Sequence, residues 1–350
     1  TNTLTIKPAA GNSATISGTS ATGLIVLNGA DWVIINGSNG STPNSICPPS
    51  AATRNLTLTN TSTSTTSAVV WLQNVVSTPN GASNNQVINC NISGNGPLQT
   101  LCGIGSGSPT IGTASLGTNN SFNSFINNNI SNAQYGIISQ GNSAFNKNTG
   151  NVINQNLMNT AAPANLATGG VFVTFEDGIV ISGNNISGIS QTSSPDVAGI
   201  NAGFLHSGFI VTTFAGNECT NVTITNNIIG SVVNSGSFSA VGIALAATSS
   251  GTSLIANNMI SGVAANGTAS DFGAGIVLGG GAGSTINVFY NTVSMQGTIT
   301  GASNASVAST ALAVTNNAAP SNLNIRNNIL SNTQAANGTS TQRHTAIALG

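Results

Sequence analysis

Charge is almost missing from this sequence. Its 350 residues include 5 Lys or Arg and 6 Asp or Glu, a charged fraction of 3% with a formal net charge of −1, against roughly 25% in an ordinary soluble domain. So few cations exclude a phosphate-neutralising surface, and with it a nucleic-acid partner. They equally exclude a polybasic membrane signal or a charge-laced helix. No apolar run approaches the ~18 residues of a membrane-spanning helix, so no membrane span is expected. Aromatic residues are also few, at 4%. The cysteines Cys47, Cys90, Cys102 and Cys219 are too widely spaced for a zinc site. An even number permits two disulfides, with Cys90 and Cys102 as the nearest pair. Nothing in the sequence calls for a cofactor or a metal. The chain starts at Thr1, with neither Met nor a signal peptide, which suggests a removed leader or a segment of a longer protein.

Uncharged polar residues fill the gap. There are 52 Asn and 42 Gly, with Ser and Thr supplying most other polar positions, and 39% of the chain is hydrophobic. That is too apolar for a disordered chain, so a core exists.

Internal repeats decide its form. A short alternating run, an Asn-Asn pair or a variant, an apolar residue and then Ser or Gly recur as 87–94 (VINCNISG), 125–131 (FINNNIS), 152–159, 180–188 (VISGNNISG), 222–230, 254–262, 286–293 and 323–332. Aligned on the second Asn, the anchors are Asn91, Asn129, Asn156, Asn185, Asn227, Asn258, Asn291 and Asn328, with Asn60 as an earlier member, and the units run 27 to 42 residues. A second phrase, small-Gly-apolar-x-apolar, follows each anchor, most clearly at Val241-Gly242-Ile243 and Ala274-Gly275-Ile276. Each unit thus holds at least two short period-2 strands separated by turn residues, and no sustained 3.6-residue pattern occurs. Two or three strands per unit suit a solenoid better than the four-stranded blades of a propeller. Stacked coils place equivalent residues at the ~4.8 Å strand spacing, so aliphatic side chains stack inward and Asn amides pair along the ladder.

The repeated phrase resembles the repeats of the right-handed, pectate-lyase-like parallel β-helix superfamily. The opening stretches Leu4–Pro8, Ala14–Gly18 and Leu24–Gly37 resemble the first coils of large secreted bacterial surface β-helix proteins. The resemblance implies an all-β, right-handed parallel β-helix (a β-solenoid) of about ten coils with variable loops, a single domain over 1–350 continuing beyond one or both ends. It says little about function, since one fold hosts lyases, hydrolases, adhesins and stalks.

Lyases of this fold need a carboxylate cluster for calcium and a basic residue, and the hydrolases need paired carboxylates. Glu176, Asp177, Asp196 and Glu218 form the one acidic window, which also holds His206 but no Lys or Arg. Glu176, Asp177 and Asp196 are therefore the candidates for a carbohydrate-active site. Neighbours on a strand point to opposite faces, which argues against Glu176 and Asp177 sharing a substrate. Asp31 and Asp271 stand apart, His344 is expected to be exposed, and no Ser or Cys has a His and an acid nearby. Among many N-x-Ser/Thr sequences, Asn266, Asn304 and Asn337 lie in loops and are the candidate glycosylation sites. Trp71 and Trp32 are candidates for contact with a surface polysaccharide.

The chain opens and closes on strands without a capping repeat, so the coils are expected to continue, covalently or head-to-tail between copies. The favoured function is a structural or adhesive extracellular solenoid of the cell surface, self-assembling into a filament or forming part of a stalk, and not an enzyme. The alternative is a carbohydrate-active or carbohydrate-binding β-helix using the 176–218 region.

Overall fold

The computed structural model describes residues 2–40, 53–75, 80–192, 195–204, 218–247, 250–266, 271–281, 283–299, 307–315, 322–336 and 343–349. Among them there is no helix. Three ten-stranded parallel sheets, A, B and C, carry the chain, each coil giving one strand to each sheet in turn. Sheet A takes strands such as Val33–Asn36 and Val152–Asn154, sheet B Leu56–Asn60 and Asn129–Ser131, and sheet C Ala68–Gln73 and Ala133–Gln140. The fold is a right-handed parallel β-helix. Backbone packing divides it into two compact units, Thr1–Leu166 with Phe175–Asn185, and Ala167–Thr174 with Ile186–Gly350.

In the first unit the interior is a set of apolar columns. Ile35, Val87, Phe125 and Ile153 follow one another in sheet A, and Leu58, Ile92 and Ile130 in sheet B, by direct register. All are essentially inaccessible to solvent, and each buried side chain of this size contributes about 1.5–3 kcal/mol. The second unit repeats the pattern with Ile224, Ile255 and Val288 in sheet A and Ile243, Ile276 and Leu312 in sheet C. Its sheet C bears a further apolar cluster that includes Phe204, Val241, Ala244 and Val277, with Phe272 packed against it.

The recurring Gly of sheet C has a steric cause. A Cβ on Gly242 would lie 2.6 Å from Ile260 Cγ2 and 2.5 Å from the Gly275 carbonyl oxygen. The strand comes too close to the sheet B side chains for any residue with more than a small one.

The Asn pairs do two different jobs. The first member takes the left-handed conformation that turns the chain from sheet A to sheet B: φ is 53–57° at Asn127, Gln155, Asn226, Asn257, Tyr290 and Asn327, and 66° at Gly183. Asn tolerates this region better than other residues with a Cβ. The second member forms the ladder. In the first unit Asn128 and Asn156 each donate through backbone N and Nδ2 to the Oδ1 of the next rung, Asn156 and Asn184, at 3.0–3.1 Å. In the second unit Asn227, Asn258 and Asn291 do the same to Asn258, Asn291 and Asn328 at 2.8–3.0 Å.

This corrects the register expected from sequence. The rungs are Asn128 and Asn184, not Asn129 and Asn185, and Cys90 rather than Asn91 holds the rung before Asn128. Asn91 and Asn129 pair one position further along sheet B. Where three Asn run together, Asn follows Cys, or Gly183 takes the left-handed place ahead of the pair, counting Asn residues misplaces the rung. The buried apolar residue two positions later (Ile92, Ile130, Ile186) marks it correctly. Asn60 lies at the other end of the sheet B strand, donating to Ala68 O at 2.8 Å.

Cys90 and Cys102 do not form a disulfide. Both are free and buried, Cys90 in sheet B and Cys102 in sheet C, and Cys219 is buried too. Burial pushes the Cys90 thiol up to about 12 and the Cys102 thiol up as well, so neither has thiolate character near neutrality. Cys47 lies outside the described residues.

Candidate functional site

Glu176 begins a two-residue strand that pairs in parallel with Asn148–Thr149, and Gly178 turns the chain into Val180–Ser182 of sheet A. At this corner from sheet C to sheet A, two more amide ladders run through the first unit. Asn85, Asn123 and Asn151 form one, each rung's Oδ1 accepting from the backbone N of the rung before at 2.9 Å. Asn120 and Asn148 form the other at 3.0 Å. Glu176 is the next rung of that second ladder. Its Oε1 accepts from Ser139 Oγ at 2.7 Å and Asn148 Nδ2 at 3.1 Å, and its Oε2 from Asn151 Nδ2 at 3.0 Å.

The side chain is completely buried. Burial pushes its carboxyl up to about 7, partly opposed by the Ser139, Asn148 and Asn151 hydrogen bonds. A raised carboxyl suits a general acid, but a catalytic group must meet its substrate, and this one faces the interior ladder. Its neighbour Asp177 is half-buried and pairs in register with Thr149. The two carboxylates diverge as the strand geometry requires.

Asp196 is held by a different set of bonds. It is 4% exposed and belongs to the second unit, where its Oδ1 accepts from Ser239 N at 2.8 Å. Ser239 Oγ in turn donates to Asp271 Oδ1 at 2.8 Å, so Asp196 and Asp271 are joined through one serine. Glu218 is 5% exposed beside the buried Cys219. Among the described residues, no group of three or more His, Cys, Asp or Glu could hold a metal ion. His206 lies outside them.

His344 is half-buried rather than exposed, with its Nδ1 2.8 Å from Ser309 Oγ and Asn332 Nδ2 donating to that same oxygen at 2.9 Å. Burial lowers the pKa of this imidazole. The Ser–His contact escapes the sequence because 35 residues separate its members. Ser309 is fully buried, so it is closed to a substrate.

Of the candidate glycosylation sites, Asn266 is half-buried and donates to Ser235 O at 3.3 Å. Asn304 and Asn337 lie outside the described residues. Trp71 is fully buried, its Nε1 donating to Ser108 O at 2.9 Å, which removes it from any ligand surface. Trp32 is 43% exposed.

No family model matches the sequence, and no curated protein is detectably similar to it. Solved structures are similar in fold. The surface adhesin PfbA of Streptococcus pneumoniae superposes on 88% of this chain and 59% of its own length, with 13% identity and a TM-score of 0.52. The tailspike protein of Escherichia coli bacteriophage HK620, in complex with a hexasaccharide, covers 99% of this chain and 52% of its own at 13% identity, with a TM-score of 0.49. The Dettilon tailspike protein covers 99% and 60%, again at 13% identity, with a TM-score of 0.42. The chain spans less than two thirds of the length of each. At this identity the likeness is one of fold: the class defined is the parallel β-helix.

Proposed function

We propose that this chain is a structural or adhesive solenoid of an extracellular surface, and that it binds rather than transforms what it meets. The observation that carries the proposal is the placement of the acids. Glu176 serves as a buried rung, Asp177 points away from it, and Asp196 is bonded to Ser239 in the other unit. Glu176, held inside the ladder, and Asp177 beside it are therefore not a pair set to act on a glycosidic bond from two sides. A charge-poor exterior of Asn, Ser and Thr suits contact with polysaccharide or with other copies of the chain. The adhesin PfbA, which is named as a surface protein, has the same fold.

In its finer form the proposal includes head-to-tail assembly into a filament or stalk. Apolar side chains are exposed on the strands Ala14–Gly18 (Ile16) and Arg343–Leu349 (Ile347 and Leu349), and an exposed apolar strand favours pairing with another. Electron microscopy of the purified protein tests this form, which predicts filaments and is refuted by monodisperse particles at every concentration. The broader proposal is tested by replacing Glu176 with Gln and Asp177 with Asn and incubating wild type and variant with surface polysaccharides. Equal absence of new reducing ends is expected. Cleavage by the wild type that the variant lacks would establish the alternative, a carbohydrate-active enzyme using this corner.

A further inference from the structure

Four aromatic side chains are exposed among the described residues: Trp32, Phe122, Phe145 and Tyr290. Three of them lie at one corner of the first unit, where the chain passes from sheet C to sheet A. Trp32 and Phe122 belong to a single column, because Trp32 N donates to Ser83 O, Asn84 N to Ser121 O, Phe122 N to Thr149 O and Gly150 N to Asp177 O. The column therefore reads Trp32, Asn84, Phe122, Gly150, Gly178, and Phe145 stands 97% exposed in the loop just before Asn148–Thr149.

Every residue of this column has positive φ, from 57° at Phe122 to 66° at Gly178. Asn and Gly are at ease there, whereas a bulky side chain is a conformational outlier. Trp32 and Phe122 are 43% and 56% exposed, so burial returns little for that strain. Strained positions of this kind tend to be kept where the surface is used. Phe122 lies against the next rung: a Cβ on Gly150 would stand 2.8 Å from Phe122 Cδ1. At Gly178 a Cβ would meet nothing within 4 Å, so the surface beyond is open.

We infer that this corner is a saccharide-binding platform on which Trp32 and Phe122 stack against the faces of sugar rings of an extended, neutral polysaccharide. This rests on the surface-binding function proposed above and locates it. The two rings are two rungs apart, about 9–10 Å at the parallel-strand spacing, close to the length of two pyranose units in an extended chain. Asn84 occupies the rung between them, and the alternation of aromatic and polar rungs suits a ligand with apolar faces and hydroxyl edges better than an apolar protein surface. Asp31, exposed beside Trp32, and Asp177, before Gly178, bracket the column. Two carboxylates disfavour an acidic polysaccharide and offer acceptors to hydroxyl groups.

Affinity electrophoresis in gels containing soluble mixed-linkage β-glucan, with polygalacturonate as the charged comparison, tests the site. Acrylamide quenching of tryptophan fluorescence is the second readout, since Trp32 is exposed and Trp71 is buried. The expected result is retardation by β-glucan but not by polygalacturonate, with Trp32 shielded from quencher. Trp32→Asn and Phe122→Asn, each suited to the left-handed backbone, should fold with unchanged or higher thermal midpoints and bind at least tenfold more weakly. Absence of both retardation and shielding with β-glucan overturns the inference, as does stronger binding to polygalacturonate. Retardation that the double variant retains also overturns it, while leaving the broader proposal of a polysaccharide-binding surface standing.

Discussion

At position 176 a carboxylate stands where the two preceding rungs, Asn120 and Asn148, carry amides. Ser139, Asn148 and Asn151 supply three neutral donors, and burial still raises the group to about 7. An acid whose folded pKa lies above its unfolded value binds more protons in the native state, so its protonation supports folding in acid. This contribution is complete below the ordinary carboxylate range and is lost as pH rises from about 4.5 toward about 7. Stability should therefore fall between pH 5 and pH 8. Glu176→Gln, which keeps the shape and removes the charge, should flatten that slope, although its amide nitrogen must face one of the three donors. Chemical denaturation at the two pH values checks this, and an unchanged slope in the variant would show that Glu176 is not responsible. Little of this was legible in sequence. Glu-Asp-Gly reads as a solvated turn, and only the register with Asn148 reveals that Glu176 faces inward.

The strand elements were far more legible than the site. Period-2 alternation and the recurrence of two phrases predict short parallel strands stacked in coils, and the three sheets bear this out. The Asn-Asn pair announces a turn, but it conceals a division of labour between a left-handed residue and a ladder residue. In the coils where Cys90 or a triple Asn blurs the count, the rung is misassigned by one. The exposed aromatic corner was only half visible: Trp32 could be named from sequence, whereas Phe122 gains significance from a column whose successive members are 28 to 52 positions apart, in coils of unequal length. The Gly of the second phrase makes a sharper test at this scale. Gly242→Val must displace Ile260 or the Gly275 backbone, and overpacking of this kind costs about 1–3 kcal/mol. Gly242→Ala should cost less, since Ala311 occupies the corresponding place in a later repeat of the phrase. Equal midpoints for Val and wild type in thermal unfolding would refute the close approach.

For the molecule as a whole, the scarcity of charge follows from the stacking. Equivalent side chains on successive coils lie about 4.8 Å apart, where like charges repel, while amides bond to copies of themselves. Each interior Asn rung both accepts and donates, so a ladder can extend without counter-ions. An uncharged solenoid built this way has few groups with which to do acid–base chemistry and many with which to touch a neutral surface. The ladder is the foundation of that account, and Asn258 is its clearest rung. Its Nδ2 donates to Asn291 Oδ1 at 2.9 Å and Ile224 O at 3.0 Å, and its Oδ1 accepts from Asn227. Asn258→Asp removes both donors and sets a buried carboxylate against two oxygen acceptors, at a cost of about 3 kcal/mol or more when ionised. Equilibrium unfolding of this variant at pH 8 and pH 4 is the most direct measurement. The ladder account predicts severe destabilisation at pH 8 that is largely recovered at pH 4, where the protonated acid can again donate. Stability equal to wild type at pH 8 would contradict it.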